Sequence, residues 1–290
     1  MQPQVCILLP HFNDFEGLQK SIASIGSAEN VDVLVVDDGS QEEIDEALVR
    51  QSKNFRGDIY FLYLSVNQGI CKAINHGLIW IREQGYLFIA RLDCGDTCGK
   101  QRFEKQWAFL VQHPEIGLVG TWGVYVDKKG EGLFVCTLPT KDTEIRQKIY
   151  WSCPFMHPSI MFRTKVLDEV KGYDERFRVG EDLAFYFQVI KHWQVANLPE
   201  YLLFYEFDEK SISSHRRKQV LLATLTTLKE HFRWGIFPVL GILKNMLALR
   251  LSRKWIFRNR MVFRYLTQIN MENAKKWRFS KKKSAFLPPS

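Results

Sequence analysis

No Cys-x-x-Cys pair, no internal repeat and no uninterrupted apolar run of membrane-spanning length occurs in this chain of 290 residues. The six cysteines (Cys6, Cys71, Cys94, Cys98, Cys136, Cys153) are scattered, and neither Cys94 nor Cys98 has a His or Cys partner at zinc-site spacing. A disulfide framework and a structural zinc are therefore not expected. The cysteines in apolar runs read as small hydrophobes of a reducing compartment. A mean hydropathy of −0.19 excludes a polytopic membrane protein. The opening MQPQVCILLP has no basic stretch before its short apolar segment, so no secretory leader is expected. No G-x-G-x-x-G follows the first strand-like segment, which excludes a Rossmann dehydrogenase. The lack of a glycine-rich phosphate loop near the N-terminus speaks against a nucleotidyltransferase.

Apolar residues make up 46% of the chain and charged ones 25%, which permits a substantial core and excludes wholesale disorder. The length suits one large α/β domain or two small ones. Acidic residues nearly vanish after position 228: fifteen Lys/Arg and two Glu give residues 229–290 a net +13, leaving −5 for residues 1–228 out of the total of +8. A mildly acidic body, 1–228, thus carries a basic tail, 229–290.

Strand and helix patterns alternate through the first part. Val5–Pro10, Val31–Val36, Ile59–Leu64 and Tyr86–Leu92 read as buried strands. Glu16–Ile25, Gln41–Gln51 and Gly69–Gln84 read as helices between them. Such βαβ units build a mostly parallel sheet, whose ligands sit at the carboxyl ends of the strands. Further on, Gly117–Val126 and Gly132–Leu138 read as antiparallel strands joined at Asp127–Gly130. Thr143–Trp151 reads as a helix and Ser159–Phe162 as a short strand. Glu181–Trp193 and residues 215–232 show the spacing of helices with one buried stripe.

Carboxylates cluster where strands end. Asp37-Asp38-Gly39-Ser40 closes one strand, and Asp93-Cys94-Gly95-Asp96 closes another. Each is either a simple Asp/Gly turn or part of a ligand edge. Two acidic strand ends in one sheet favour the second reading, because like charges cost stability unless a cation or ligand offsets them. Gly180-Glu181-Asp182 opens a helix. There the acids cap the helix dipole, a role compatible with that of a rigidly aimed general base.

The segments VCILLPHFN, VLVVDDGS, NQGICKAINHGL, FIARLDCGDT, HPSIMFR and VGEDLAFYFQVIKHWQVANLP, taken in order over roughly residues 4–215, resemble the successive motifs of glycosyltransferase family 2. The resemblance implies a GT-A fold, an α/β architecture with a Rossmann-like, mostly parallel sheet, helices on both faces and a small antiparallel second sheet. The tail is expected to add a C-terminal helical extension. It also implies donor contacts. Pro10, Phe12 and Asn13 match the turn whose aromatic stacks on uracil, Asp38 the carboxylate that reads the base, and Asp37 its neighbour near the ribose. Lys72 and Arg91 match positions near the donor diphosphate. Asp93 begins the family's metal-binding D-x-D, for Mn²⁺ or Mg²⁺. Asp182 matches the catalytic base, with Glu181 beside it, and His157 lies in a motif lining the acceptor side, although a satisfied core histidine is the competing reading. One departure stands out: the second D-x-D carboxylate falls on Gly95, so Asp96, or Asp93 acting through water, is expected to hold the metal.

The implied function is inverting transfer of a single sugar, hexosyl or N-acetylhexosaminyl, from a nucleotide sugar of the UDP type to a hydroxyl of a glycan. The processive Q-x-x-R-W motif is missing. A catalytically silent nucleotide-sugar binding or scaffold protein is the alternative, and metal-dependent hydrolysis of a UDP-sugar separates the two. In the tail, Arg250–Arg264 interleaves aromatics with arginines, as helices in the headgroup layer of an anionic membrane do. Packing on the core competes with that reading. Nucleic acid ranks behind both, since no recognised module is present and the body is acidic. The expectation is a cytoplasmic enzyme, peripheral to the inner face of the cell membrane, that modifies a lipid-linked saccharide in cell-surface polysaccharide (lipopolysaccharide-type) biosynthesis.

Overall fold

The computed structural model describes residues 3–207 and 216–251, together with the short strands 269–270, 278–280 and 285–287. Strands β1 (Val5–His11), β2 (Asp32–Asp37), β3 (Ile59–Tyr63) and β4 (Phe88–Arg91) run parallel in the order β3-β2-β1-β4. Helices α1 (Phe15–Ser24), α2 (Glu46–Gln51) and α3 (Ile70–Glu83) make the crossovers. Both faces of the sheet are covered, which is why β1 and β2 are apolar without alternation. Ile7 and Leu9 of β1 pack with Leu18 and Ile22 of α1, whereas Cys6 and Leu8 pack with Ile74 and Leu78 of α3.

The sheet then changes direction. Beyond β5 (Thr97–Cys98) and helix α4 (Arg102–Gln112), β6 (Ile116–Val126) and β7 (Gly132–Cys136) form the expected hairpin. Strand β8 (Met161–Arg163) is antiparallel to both β4 and β6, so it joins the two halves. The antiparallel strands are therefore a continuation of one ten-stranded sheet among the described residues, not a separate one. Strand β9 (Gln194–Glu206), which the sequence reading did not anticipate, runs parallel to β6 through three register shifts and also pairs with β5. Its Pro199 and the broken register obscure any period-two pattern.

Other boundaries differ modestly. Helix α2 starts only at Glu46, because the Asp45 side chain accepts the Leu48 N–H at 3.0 Å and caps it there. Helix α5 covers Asp142–Lys148, and a 3₁₀ turn at His157–Ser159 precedes β8. Helices α6 (Val166–Glu169) and α7 (Glu181–His192) follow, and α8 (Arg217–Glu230) packs on α7 and on α9 (Ile236–Arg250). Lys244 of α9 donates to the Trp151 carbonyl at 2.5 Å, while Ile236, Leu243 and Leu247 are exposed. Helices α8 and α9 are the expected C-terminal helical extension, and short strands follow among the described residues. Ile269–Asn270 pairs with β7, whose free edge offers unpaired backbone groups, and Arg278–Ser280 pairs with Ala285–Leu287. Within the arginine-aromatic segment Arg250–Arg264, residues 252–264 lie outside the described residues. No helix among the described residues is long and apolar enough to cross a membrane.

Candidate active site

The carboxyl end of β2 builds the first wall. Asp37 is turned inward and buried: Oδ1 lies 2.7 Å from Nδ1 of His11 and accepts the Ser40 hydroxyl at 2.5 Å, and Oδ2 accepts the Ser40 N–H at 3.0 Å. Between them Gly39 has φ +69°, and a Cβ there would lie 2.4 Å from the Val66 carbonyl carbon, so the turn admits only glycine. Asp38 is equally buried but turned toward the loop ahead of α3. Its two oxygens accept the N–H groups of Gln68 and Gly69 at 2.8 Å each, which ties the turn to the loop ahead of α3. The result is a cleft of about 590 Å³ lined by Pro10, Phe12, Asp38 and Lys72, together with Phe177, Arg178 and Arg216. Phe12 is 46% exposed, an unusual degree of exposure for a large ring beside a cleft. Asn13 lines a neighbouring recess instead, where its Oδ1 accepts the Gln41 N–H at 2.9 Å.

The end of β4 lies beside Pro10, whose carbonyl accepts the Cys94 thiol at 3.4 Å. Arg91 is fully buried and its Nη2 donates to Asp93 Oδ1 at 2.5 Å. Its Nε and Nη1 have no hydrogen-bond partner. A buried cation so placed needs the carboxylate, since an unpaired buried charge costs several kcal/mol. Arg102 fixes this strand end from below, donating from Nη2 to the carbonyls of Arg91 (2.7 Å) and Pro158 (2.6 Å). Asp93 keeps its side chain 28% exposed, whereas Asp96 is buried, with Oδ1 accepting the Glu206 N–H at 2.8 Å.

The start of α7 supplies the third patch. Asp182 accepts its neighbour Leu183 N–H on Oδ1 at 2.8 Å and the Cys153 thiol on Oδ2 at 3.5 Å. Burial pushes its carboxyl up from the ordinary range. Glu181, also buried, is pushed up to about 7, first by burial and then by the charge of Asp182. His157 shares a 2.7 Å hydrogen bond with the Tyr173 hydroxyl. Burial, and then Arg91, depress its imidazole to about 3, so it is neutral at physiological pH.

The second and third patches are coupled through their charges. The charge of Asp93 raises both Glu181 and Asp182, Arg91 lowers Glu181, and Glu181 in turn raises Cys71, the cleft residue next to Lys72. Pro10, Phe12, Asp38 and Lys72 thus share the cleft, while Arg91, Asp93, Glu181, Asp182 and His157 share the electrostatic field beside it. Asp37, buried in its turn, Asn13 and Asp96, expected to hold the metal but buried against the Glu206 N–H, are the three that stand apart. Sequence reasoning passed over Cys153, read only as a small hydrophobe, and over Arg178, although R-V-G-E-D places a cation just ahead of the acidic pair.

A divalent cation bridging phosphates needs only one or two protein carboxylates, the phosphates completing its shell. Among the described residues no three His, Cys, Asp or Glu side chains form a cage of their own. Asp93, half-open at the strand end, fits the more modest role.

Residues 6–171, more than half of the chain, match the model of the family described as Glycosyl transferase family 2. An uncharacterized glycosyltransferase of Haemophilus influenzae is 28% identical over 180 residues, covering 61% of this chain and 65% of that protein. The amylovoran biosynthesis glycosyltransferase AmsE of Erwinia amylovora is 28% identical over 173 residues, covering 59% and 63%. The chain thus spans just under two thirds of these relatives' lengths. Among solved structures, S. aureus TarS 1-349 in complex with UDP-GlcNAc superposes with a TM-score of 0.64 at 17% identity, covering 87% of this chain and 74% of that one. The mannosyltransferase PcManGT of Pyrobaculum calidifontis, in complex with GDP-Man and Mn²⁺, gives 0.59 at 14% identity, covering 88% and 72%. The fold is accordingly GT-A, and the chain belongs to glycosyl transferase family 2.

Proposed function

We propose that the chain is an inverting glycosyltransferase that moves a single sugar from a UDP-sugar to a hydroxyl of a lipid-linked glycan. The observation that supports the reading is the cleft at the carboxyl end of β2, where Asp38 sits with an exposed ring and a cationic wall, together with the charge coupling of Asp93 to Asp182. Phe12 stacks on the base, and Asp38, already fixed by two backbone N–H groups, keeps lone pairs for the nucleoside. Lys72, with Arg178 and Arg216 of the same wall, offsets the diphosphate. Bound on Asp93 and the phosphates, a divalent cation would stabilise charge developing on the leaving group.

Asp182 then acts as general base. Leu183 N–H and the Cys153 thiol hold its carboxylate in place, and it takes the proton of the acceptor hydroxyl as that oxygen attacks the anomeric carbon from the face opposite the leaving diphosphate. Glu181, which ionises only near neutral pH, limits how much negative charge accumulates beside the base. His157 stays neutral and orients through Tyr173.

Residues 229–290 form the attachment to the membrane surface. Two observations favour this: the tail's +13 charge and the outward apolar residues of α9. A catalytic unit, 1–228, and an attachment unit, 229–290, are the corresponding division of labour, and polysaccharide biosynthesis, as in the relative AmsE, is the setting. The test is Asp182→Asn. UDP-sugar turnover should fall by roughly 10²–10⁴-fold while UDP affinity, measured by calorimetry, is unchanged. Near-normal turnover would refute the assignment of the base.

A further inference from the structure

Gly95 stands where the second carboxylate of a D-x-D would be. A Cβ built on it would lie 3.8 Å from Cδ and from Oε2 of Glu206, the last residue of β9. The approach is fixed from the backbone, because the Glu206 N–H donates to Asp96 Oδ1 at 2.8 Å, across 110 residues of sequence. The Glu206 carboxylate therefore occupies the surroundings that a side chain at position 95 would enter. It is 23% exposed and ion-paired to Lys20 of α1, itself 30% exposed, so neither partner is locked in the core. On the same turn, Asp96 is 3% exposed and its Oδ2 has no hydrogen-bond partner. A buried carboxylate oxygen left unsatisfied is uncommon and marks a place short of positive charge.

We propose that Glu206 supplies the carboxylate that Gly95 withholds, so that a divalent cation is held by Asp93 and Glu206 together, with Lys20 as the resident partner of Glu206 until the cation arrives. The proposal rests on the donor reading above. Two carboxylates from separate elements, completed by substrate phosphates, form the usual set for Mn²⁺ or Mg²⁺. The site is thereby moved from a single turn to the junction of that turn with β9.

The experiment titrates Mn²⁺ into the full-length protein in the presence of UDP and reads free Mn²⁺ by electron paramagnetic resonance. UDP affinity without metal is measured separately by calorimetry. E206Q is expected to weaken Mn²⁺ by at least about tenfold, in line with the cost of losing metal-site partners, and to leave metal-free UDP affinity unchanged. G95D placed in the E206Q background is expected to restore Mn²⁺ binding, which also shows that the single variant folds; aspartate is among the residues that accept the left-handed conformation there. Wild-type Mn²⁺ affinity in E206Q, or no Mn²⁺ uptake by the wild type with UDP bound, overturns the assignment of Glu206. Failure of the wild type to bind UDP at all overturns the donor reading itself.

Discussion

Replacing Glu181 by glutamine removes one of two adjacent buried carboxyls at the start of α7. Glu181 is 6% exposed, and burial, followed by the charge of Asp182, raises it from 4.5 to about 7. In the unfolded chain it ionises near 4.5. Between those values the native state keeps a proton that the unfolded state has already lost. The contribution to stability is therefore intact below about pH 4.5 and drains away as pH rises toward 7, after which it is constant. At roughly 1.36 kcal/mol for each unit of displacement, carrying this ionised group in the fold costs on the order of 3 kcal/mol above neutrality. Glutamine has nothing to ionise. Any change in helix capping or packing that it brings is the same at every pH, so the informative quantity is the difference across pH. Urea unfolding of both proteins at pH 5, 6, 7 and 8 should show E181Q gaining on the wild type by roughly 2–3 kcal/mol in total, with equal m values. A stability gap that stays flat from pH 5 to 8 would refute the electrostatic coupling on which this reasoning depends.

Two further outcomes follow from exposed apolar groups. Phe12→Ala removes a ring that is already 46% exposed, so the melting temperature should hardly move. UDP affinity should nevertheless drop roughly 5- to 150-fold, the range for one lost base stack; an unchanged Kd by calorimetry would remove Phe12 from the donor site. On α9, Leu243 and Leu247 are 55% and 58% exposed. Converting both to glutamate should reduce co-sedimentation of the full-length protein with anionic phospholipid vesicles while UDP binding persists, and equal sedimentation would argue that this face does not meet the bilayer.

The parallel half was legible because β1 and β2 are buried on both faces and must be apolar throughout, a demand that local sequence alone can reveal. The acids that end β2 and β4, and those that open α7, were equally plain. Less legible was β9. Its pairing with β6 spans large separations and slips register three times, so neither period nor propensity marks it. The direction of side chains within a motif was hidden for a related reason. Asp37 and Asp38 are neighbours in one turn, yet one is sealed against His11 and Ser40 while the other faces the cleft, a choice made by the φ of Gly39 and by the loop at Gln68 and Gly69.

By itself, then, the order of apolar strands, helices and acidic turns determined the α/β architecture and the family, since those signals are local and recur in a fixed succession. Only the tertiary structure decided which distant groups touch. It brought the Cys153 thiol to Asp182, Tyr173 to His157, and Glu206 to the empty side of Gly95. Those contacts depend on where long-range pairing deposits each strand end, and the free energy that sets that pairing belongs to the whole packed sheet, not to any stretch of sequence within it.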